Sequence, residues 1–286
     1  MKRETDFTNT LFKSEKKLTE LGTRLKKCDV HGEYQSIGRN YFGIHESWSK
    51  CPTCESIREQ KEIEDQISRE REAQMREIKR RLGLVGVPVR FEDCSFENYR
   101  CDNDDQRRAL STCREYSENF DYYKTNGDGL ALLGNIGNGK THLAIAILKE
   151  VQKRHTVIYV TVGDLIKAVR ATWQRDSEKT EKEVLDYFKK VVLLIIDEVG
   201  VQSGSDNEQQ ILFDILNARY NERKSTIFLS NCPPRTYMDG GVQVLGVKEY
   251  LGDRTFDRLT QISQVITFNW ESHRKIARRE WMEGSR

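Results

Sequence analysis

Residues 134–141, GNIGNGKT, match the pattern G-x-x-x-x-G-K-[ST] at every fixed position. Glycines at this spacing let backbone N–H groups turn inward around phosphate oxygens, and the helix that follows adds positive partial charge. Lys140 is then expected on the β- and γ-phosphates of ATP, and the Thr141 hydroxyl on Mg2+. The candidate nucleotide-binding set is Gly134, Asn135, Ile136, Gly137, Asn138, Gly139, Lys140, Thr141 and His142. Further along, the apolar run LLII leads into Asp197 and Glu198. A buried strand would deliver both carboxylates at its C-terminal end, where open α/β sheets bind ligands. Asp197 is expected in the Mg2+ shell, and Glu198 to orient or deprotonate the attacking water. That favours hydrolysis over transfer to another acceptor. A third polar position follows STIFL: Ser230 or Asn231 ends the next strand. The Asn231 amide would hold the γ-phosphate or the water, although asparagine before Cys-Pro-Pro also suits a plain turn.

A second set of reactive side chains lies upstream. Cys28-x2-His31 is followed, after nineteen residues, by Cys51-x2-Cys54. Two knuckles giving two ligands each suit tetrahedral zinc in a closed structural site. Gly32 after the first knuckle and Pro52 inside the second are turn formers. The aromatic and glycine-containing stretch between them reads as a small ribbon too short to fold without metal. A redox dithiol is the rival, but such a CxxC opens a helix after a strand, and nothing before Cys51 reads that way. His45 competes as a ligand without paired spacing. Cys94, Cys101, Cys113 and Cys232 read as ordinary thiols.

These side chains need elements to hold them. From residue 128 onward, strand, turn and helix alternate. Strands are expected at 129–134, 156–162, 191–197, 225–231 and 263–270, and helices at 139–154, 163–173, 178–189 and 207–223. Alternation of this kind implies an α/β fold with a parallel sheet covered by helices. The near-continuous apolar run at 191–197 suits a strand buried on both faces. Before residue 83, charge dominates. Residues 57–81 hold no Gly or Pro, and pairs such as Glu72–Arg76 and Glu77–Arg81 have helix-supporting spacing. A long exposed helix is expected there, with a thin stripe of Ile63, Ile67, Ile78 and Leu82. It serves as a spacer or docks on a partner. The linker 82–91 ends it. The expected division is 1–56, an N-terminal helix plus the metal-binding module; 57–90, charged helix and linker; and 91–286, the nucleotide-binding domain.

Composition bounds the rest. The 286 residues carry a net charge of +2, with 37% hydrophobic and 32% charged residues. No run approaches the roughly 18 apolar residues of a membrane span. The N-terminus MKRETDFTNT lacks the apolar core of an export signal, so a cytoplasmic location is expected. Seven cysteines in a reducing compartment argue against a disulfide framework.

Taken together, the nucleotide motifs resemble those of AAA+ ATPases. CSFENYR (94–100), IDEVGVQ (196–202), LGDRTFDRL (251–259) and FNWESHR (268–274) resemble the DnaC-type replicative helicase loaders, relatives of the IstB-type transposition ATPases. The resemblance covers residues 91–280. It implies a three-layer core that assembles side by side, with ATP at the junctions. It also implies that Arg258, or Arg254, is the finger reaching a neighbour's γ-phosphate, and that Arg274 is a sensor arginine acting in cis. The C-terminal lid is expected to be short. The resemblance further implies single-stranded DNA along the core, where Lys167, Arg170 and Arg175 meet phosphates and Trp173 stacks on a base; a basic helix face with a core aromatic explains them equally. The N-terminal arm would grip the helicase, with no residue-level match to carry over. The leading expectation is an ATP-dependent loader of a replicative DNA helicase. An IstB-like ATPase delivering a transposase to DNA, or a non-hydrolysing zinc DNA-binding regulator, are the rivals.

Overall fold

The computed structural model describes residues 18–41, 45–82, 86–200, 205–240 and 242–284. The chain divides into two compact units, residues 1–69 and 70–286.

The first unit holds an antiparallel sheet of β1 (Leu18–Cys28), β2 (Gly32–Tyr41) and β3 (His45–Trp48). Gly32, at φ 77°, closes the β1–β2 turn, where Cys28 pairs with Gly32. Only glycine takes that backbone region at no cost. Gly38 leaves room for Trp48: a Cβ there would lie 2.8 Å from the indole. The Arg24 guanidinium stacks over the same ring at 3.8 Å. Helix α1 (Pro52–Leu82) starts at the second knuckle. The expected helix at 57–82 therefore begins five residues earlier, and Pro52 is its first residue, where a missing N–H costs nothing. Ile63 and Ile67 are exposed as expected, and Glu72 pairs with Arg76. The side chains of Ile78 and Leu82 lie outside the described set. Where an N-terminal helix is expected, residues 1–17 lie outside the described residues, and Leu18–Cys28 is a strand.

In the second unit, a short 3-10 turn at Val89–Phe91 precedes α2 (Asp104–Glu118) and α3 (Phe120–Asn126). A capping box of Asn103 and Gln106 starts α2, and left-handed Gly127 ends α3. Then come β4 (Gly129–Gly134), α4 (Lys140–Val151), β5 (Val157–Thr161), α5 (Val162–Ala171), α6 (Glu181–Lys190), β6 (Leu193–Val199), α7 (Asp206–Asn221) and β7 (Ser225–Ser230). A small hairpin of β8 (Tyr237–Asp239) and β9 (Val242–Val244) leads to α8 (Val247–Leu251), α9 (Asp253–Ile262), β10 (Ser263–Phe268) and α10 (His273–Gly284). The five strands are parallel in the order β10-β4-β7-β6-β5.

Side chains alternate across this sheet. Leu130, Leu132, Leu193, Ile195 and Ile227 join α2 and α4 in one apolar layer. Ala131, Leu133, Leu194, Ile196 and Phe228 join α5, α6, α7 and α9 in the other. The result is the expected three-layer α/β core. Fully buried Arg219 of α7 ties its second layer together. Its guanidinium donates to the carbonyls of Phe188 and Val191 (both 2.8 Å) and of Ser225 (2.5 Å), and to Thr226 Oγ1 (3.0 Å). Burial pulls its pKa down to about 9. Among the described residues, no helix is long and apolar enough to cross a membrane.

Candidate nucleotide and metal sites

The phosphate loop leaves β4 and enters α4, as its sequence requires. Gly134, Gly137 and Gly139 all have positive φ, at 139°, 83° and 91°. Space matters as much as conformation. A Cβ on Gly137 would come within 2.2 Å of Ser272 Oγ, and one on Gly139 within 2.6 Å of the Tyr99 ring. Asn138, at a variable position of the motif, clamps the loop to the end of the sheet. Its Nδ2 donates to the carbonyls of Phe268 (2.9 Å) and Trp270, while its own carbonyl accepts from Trp270 Nε1 (3.0 Å) and Tyr99 OH (3.3 Å). Ile136 projects outward, 65% exposed. His142 is half-buried and its Nε2 sits 2.8 Å from the Ser95 carbonyl, so this ring is held by the segment preceding α2.

Lys140 curls over the loop, donating from Nζ to the carbonyls of Gly134 (2.8 Å) and Asn135 (2.6 Å). Burial lowers its pKa to about 8, opposed by Asp197 and reinforced by Arg274. The lysine is thus fixed at the loop but weakly satisfied, and incoming phosphate oxygens would replace carbonyls with full negative charge.

Asp197 ends the buried run of β6. Its Oδ2 accepts from Thr141 Oγ1 (2.9 Å) and from Tyr159 OH (2.8 Å), and its Oδ1 from the Glu198 N–H (2.7 Å). β6 runs two residues further than expected, to Val199, because its pairing with β7 shifts between Ile196 and Val199. In that irregularity Glu198 takes φ 62°, a left-handed conformation that a non-glycine residue adopts at a cost. The turn exposes the Glu198 side chain while Asp197 and Val199 stay buried. Partial burial, then Asp197 and Asp164, push its carboxyl above the usual glutamate value. A carboxylate made more basic is suited to attracting a proton from water. Hard oxygen donors at Thr141 and Asp197 suit Mg2+, which prefers one or two carboxylates plus phosphate oxygens.

β7 lies between β4 and β6, so its end faces both motifs. Of the two polar candidates there, Ser230 is buried, donates to the Val199 carbonyl (2.5 Å) and accepts from Cys232 N–H (3.0 Å). Asn231 is exposed. Arg274, at the start of α10, approaches the loop: its Cδ lies 3.7 Å from where a Cβ on Gly137 would be. Twelve-residue α10 is the whole described helical portion after β10. Arg254 and Arg258 lie on α9. Arg254 is exposed, whereas Arg258 is partly buried with its guanidinium over the Tyr220 ring at 5.3 Å.

On α5 and its end, Arg170 pairs with Glu208 (3.2 Å), Lys167 with Asp164 (3.4 Å), and Trp173 Nε1 donates to Glu181 (2.7 Å). Trp173 is 50% exposed, which excludes a core aromatic. Arg175 is exposed.

In the first unit Cys28, His31, Cys51 and Cys54 converge, with all ligand atoms within 4.8 Å of one another. Cys28 and Cys54 sulfurs are 3.6 Å apart, and His31 Nδ1 lies 3.8, 3.7 and 3.3 Å from the sulfurs of Cys28, Cys51 and Cys54. A tetrahedral centre with Zn–S near 2.3 Å has S···S edges of about 3.8 Å. Backbone N–H groups of Val30 and His31 pull Cys28 down to about 6, the thiolate form a metal needs. The hydrogen bond to the Cys28 sulfur keeps the proton on Cys54 and pushes its pKa up to about 11. His45 sits on β3, outside the cluster.

Sequence reasoning missed Tyr159 beside the candidate nucleotide site, and it placed Asn138 in the loop without its clamping contacts. Neither residue type nor spacing marks Tyr159 or those contacts; the pairing of β5 with β6 and the approach of the chain after β10 create them.

Residues 53–281 match the family described as IstB-like ATP binding protein. The chain is 34% identical over 210 residues to the replicative helicase loader DnaC of Buchnera aphidicola subsp. Schizaphis graminum, spanning 73% of this chain and 80% of that protein. A crystal structure of the DnaC helicase loader superposes with a TM-score of 0.53 and 25% identity, covering 63% of this chain and 99% of that one. The replication initiator DnaA bound to AMPPCP and single-stranded DNA gives a TM-score of 0.51 and 25% identity, over 67% of this chain and 55% of DnaA.

Proposed function

The chain belongs to the IstB-like ATP binding protein family, and from that premise we propose that it is an ATP-dependent loader of a replicative DNA helicase onto single-stranded DNA. It is an ATPase of the AAA+ type. The observation that carries the proposal is the intact hydrolytic set, Lys140, Thr141, Asp197 and Glu198, in a chain 34% identical to DnaC loaders.

The loop amides and Lys140 bind the phosphates. Mg2+, when bound, neutralises charge on the β- and γ-oxygens, and Thr141 and Asp197 are the residues to hold it. Glu198 orients the water and takes its proton, and Asn231 steadies the water or the γ-phosphate. Arg274 acts in cis. Copies assemble side by side, and Arg258 leaves Tyr220 to reach a neighbour's γ-phosphate, which makes hydrolysis depend on assembly. Arg254 is the second candidate. Exposed Trp173 and Arg175, with Lys167, meet single-stranded DNA; Arg170 is held by Glu208. The four-ligand cluster holds a structural zinc ion, and this module with the first half of α1 grips the helicase. The support for zinc is the donor set and its tetrahedral spacing.

Mixing the chain with its host's replicative helicase and ATP should give a joint peak on size exclusion, and separate elution overturns the proposal. Stimulation of hydrolysis by duplex rather than single-stranded DNA would point instead to transposase delivery.

A further inference from the structure

Asp197 is 7% exposed, and its carboxylate is held by three donors. Two are unsurprising: Thr141 belongs to the phosphate motif, and Glu198 supplies its backbone N–H. The third, Tyr159, belongs to no motif. It lies on β5, paired in register with Ile195, while Asp197 pairs with Thr161. Tyr159 and Asp197 are thus diagonal neighbours on adjacent parallel strands, pointing to the face that carries α4. A phenol is long enough to span that diagonal, and an aliphatic residue at this buried position is not a donor at all. Tyr159 is 3% exposed, so its hydroxyl needs a partner, and Asp197 Oδ2 at 2.8 Å is the one it has.

We infer that Tyr159 is a positioning residue for the cation shell: by holding Oδ2 of Asp197 it fixes the carboxylate plane in which the metal is met. The inference rests on the nucleotide-site reading and adds to it a specific residue outside the phosphate and acidic motifs. Thr141 cannot do this alone, because its hydroxyl oxygen is itself expected on the cation. Tyr159 has no such second duty. It holds Asp197 from β5, the neighbouring strand, and is itself buried. Partners of this kind set ligand orientation, and their loss commonly costs tenfold or more in metal affinity.

The test is Tyr159→Phe in the full chain, which removes one oxygen and keeps the buried ring. Binding of a fluorescent ATP analogue is measured in EDTA and across a Mg2+ titration. The expected result is unchanged affinity in EDTA and a Mg2+ midpoint raised about tenfold. A midpoint within twofold of the parent overturns the inference. So does loss of affinity in EDTA as well, which marks a merely structural tyrosine. A parent chain that binds no ATP analogue in either condition overturns the nucleotide-site reading itself, and one whose binding ignores Mg2+ overturns the inference; both results are visible before any variant is made.

Discussion

Thr141 Oγ1 and Asp197 Oδ2 are hydrogen-bonded at 2.9 Å although 56 positions separate them in the chain. The first turn of α4 and the end of β6 are therefore joined directly by their side chains. A bond of this kind holds the Asp197 carboxylate in place relative to the phosphate loop.

Glu198→Gln keeps the shape of the turn and removes the base. Hydrolysis should fall about a hundredfold or more while ATP stays bound. Because burial and Asp197 raise the Glu198 pKa, the base form is lost as pH falls through a value above the ordinary glutamate range. The parent's pH–rate profile should show an acid limb there, and the variant's residual rate should lack it. A limb shared by both would remove Glu198 from that role.

Lys140 should take up a proton when nucleotide binds. Its pKa of about 8 in the free loop leaves it mostly neutral at pH 8.5, and phosphates beside it restore the charge. Titration calorimetry at that pH, in buffers of different ionisation enthalpy, should give different apparent heats. The difference should fade below about pH 7, where the lysine is already charged. Equal heats at pH 8.5 would contradict the assigned environment.

Zinc should be present at one ion per chain and be lost in Cys54→Ser. Apparent binding energies of structural zinc, about 10–16 kcal/mol, are folding energy for small modules. Chelation should therefore abolish the β-sheet signal of residues 18–48 and leave ATP binding by the second unit intact. A chain that keeps its full sheet content after exhaustive chelation would show that the ligands are not structural.

Arg219→Met should lower stability by about 3 kcal/mol or more. It leaves the carbonyls of Phe188, Val191 and Ser225 buried without their donor. Denaturant unfolding followed by intrinsic fluorescence reads this directly, and an unchanged midpoint would show that water replaces the guanidinium.

Much of the core was legible in advance, and the reason is local. GNIGNGKT carries its conformation in its glycines, and VVLLIID announces a strand buried on both faces. The convergence of Cys28, His31, Cys51 and Cys54 was legible for a similar reason, since two paired spacings leave few chemistries open. What could not be read depends on neighbours distant in sequence. Tyr159 gains meaning only beside Asp197, and the clamping role of Asn138, itself a residue of the legible loop, only against Phe268 and Trp270. β1 was missed because LTELGTRLKKC has no clean alternation and few β-branched residues. Pro52 was read as a turn former because proline suits both a turn and a helix start. The helix boundary followed from that choice.

The left-handed backbone of Glu198 has a consequence for how such a chain changes over time. Glycine at this position would relieve strain on the order of 1 kcal/mol. Drift or selection toward greater stability therefore has a downhill step available at residue 198, and that step removes the base. This chain carries glutamate in that conformation. On the proposed reading of Glu198, a chain with glycine there should still bind ATP and should hydrolyse it far more slowly.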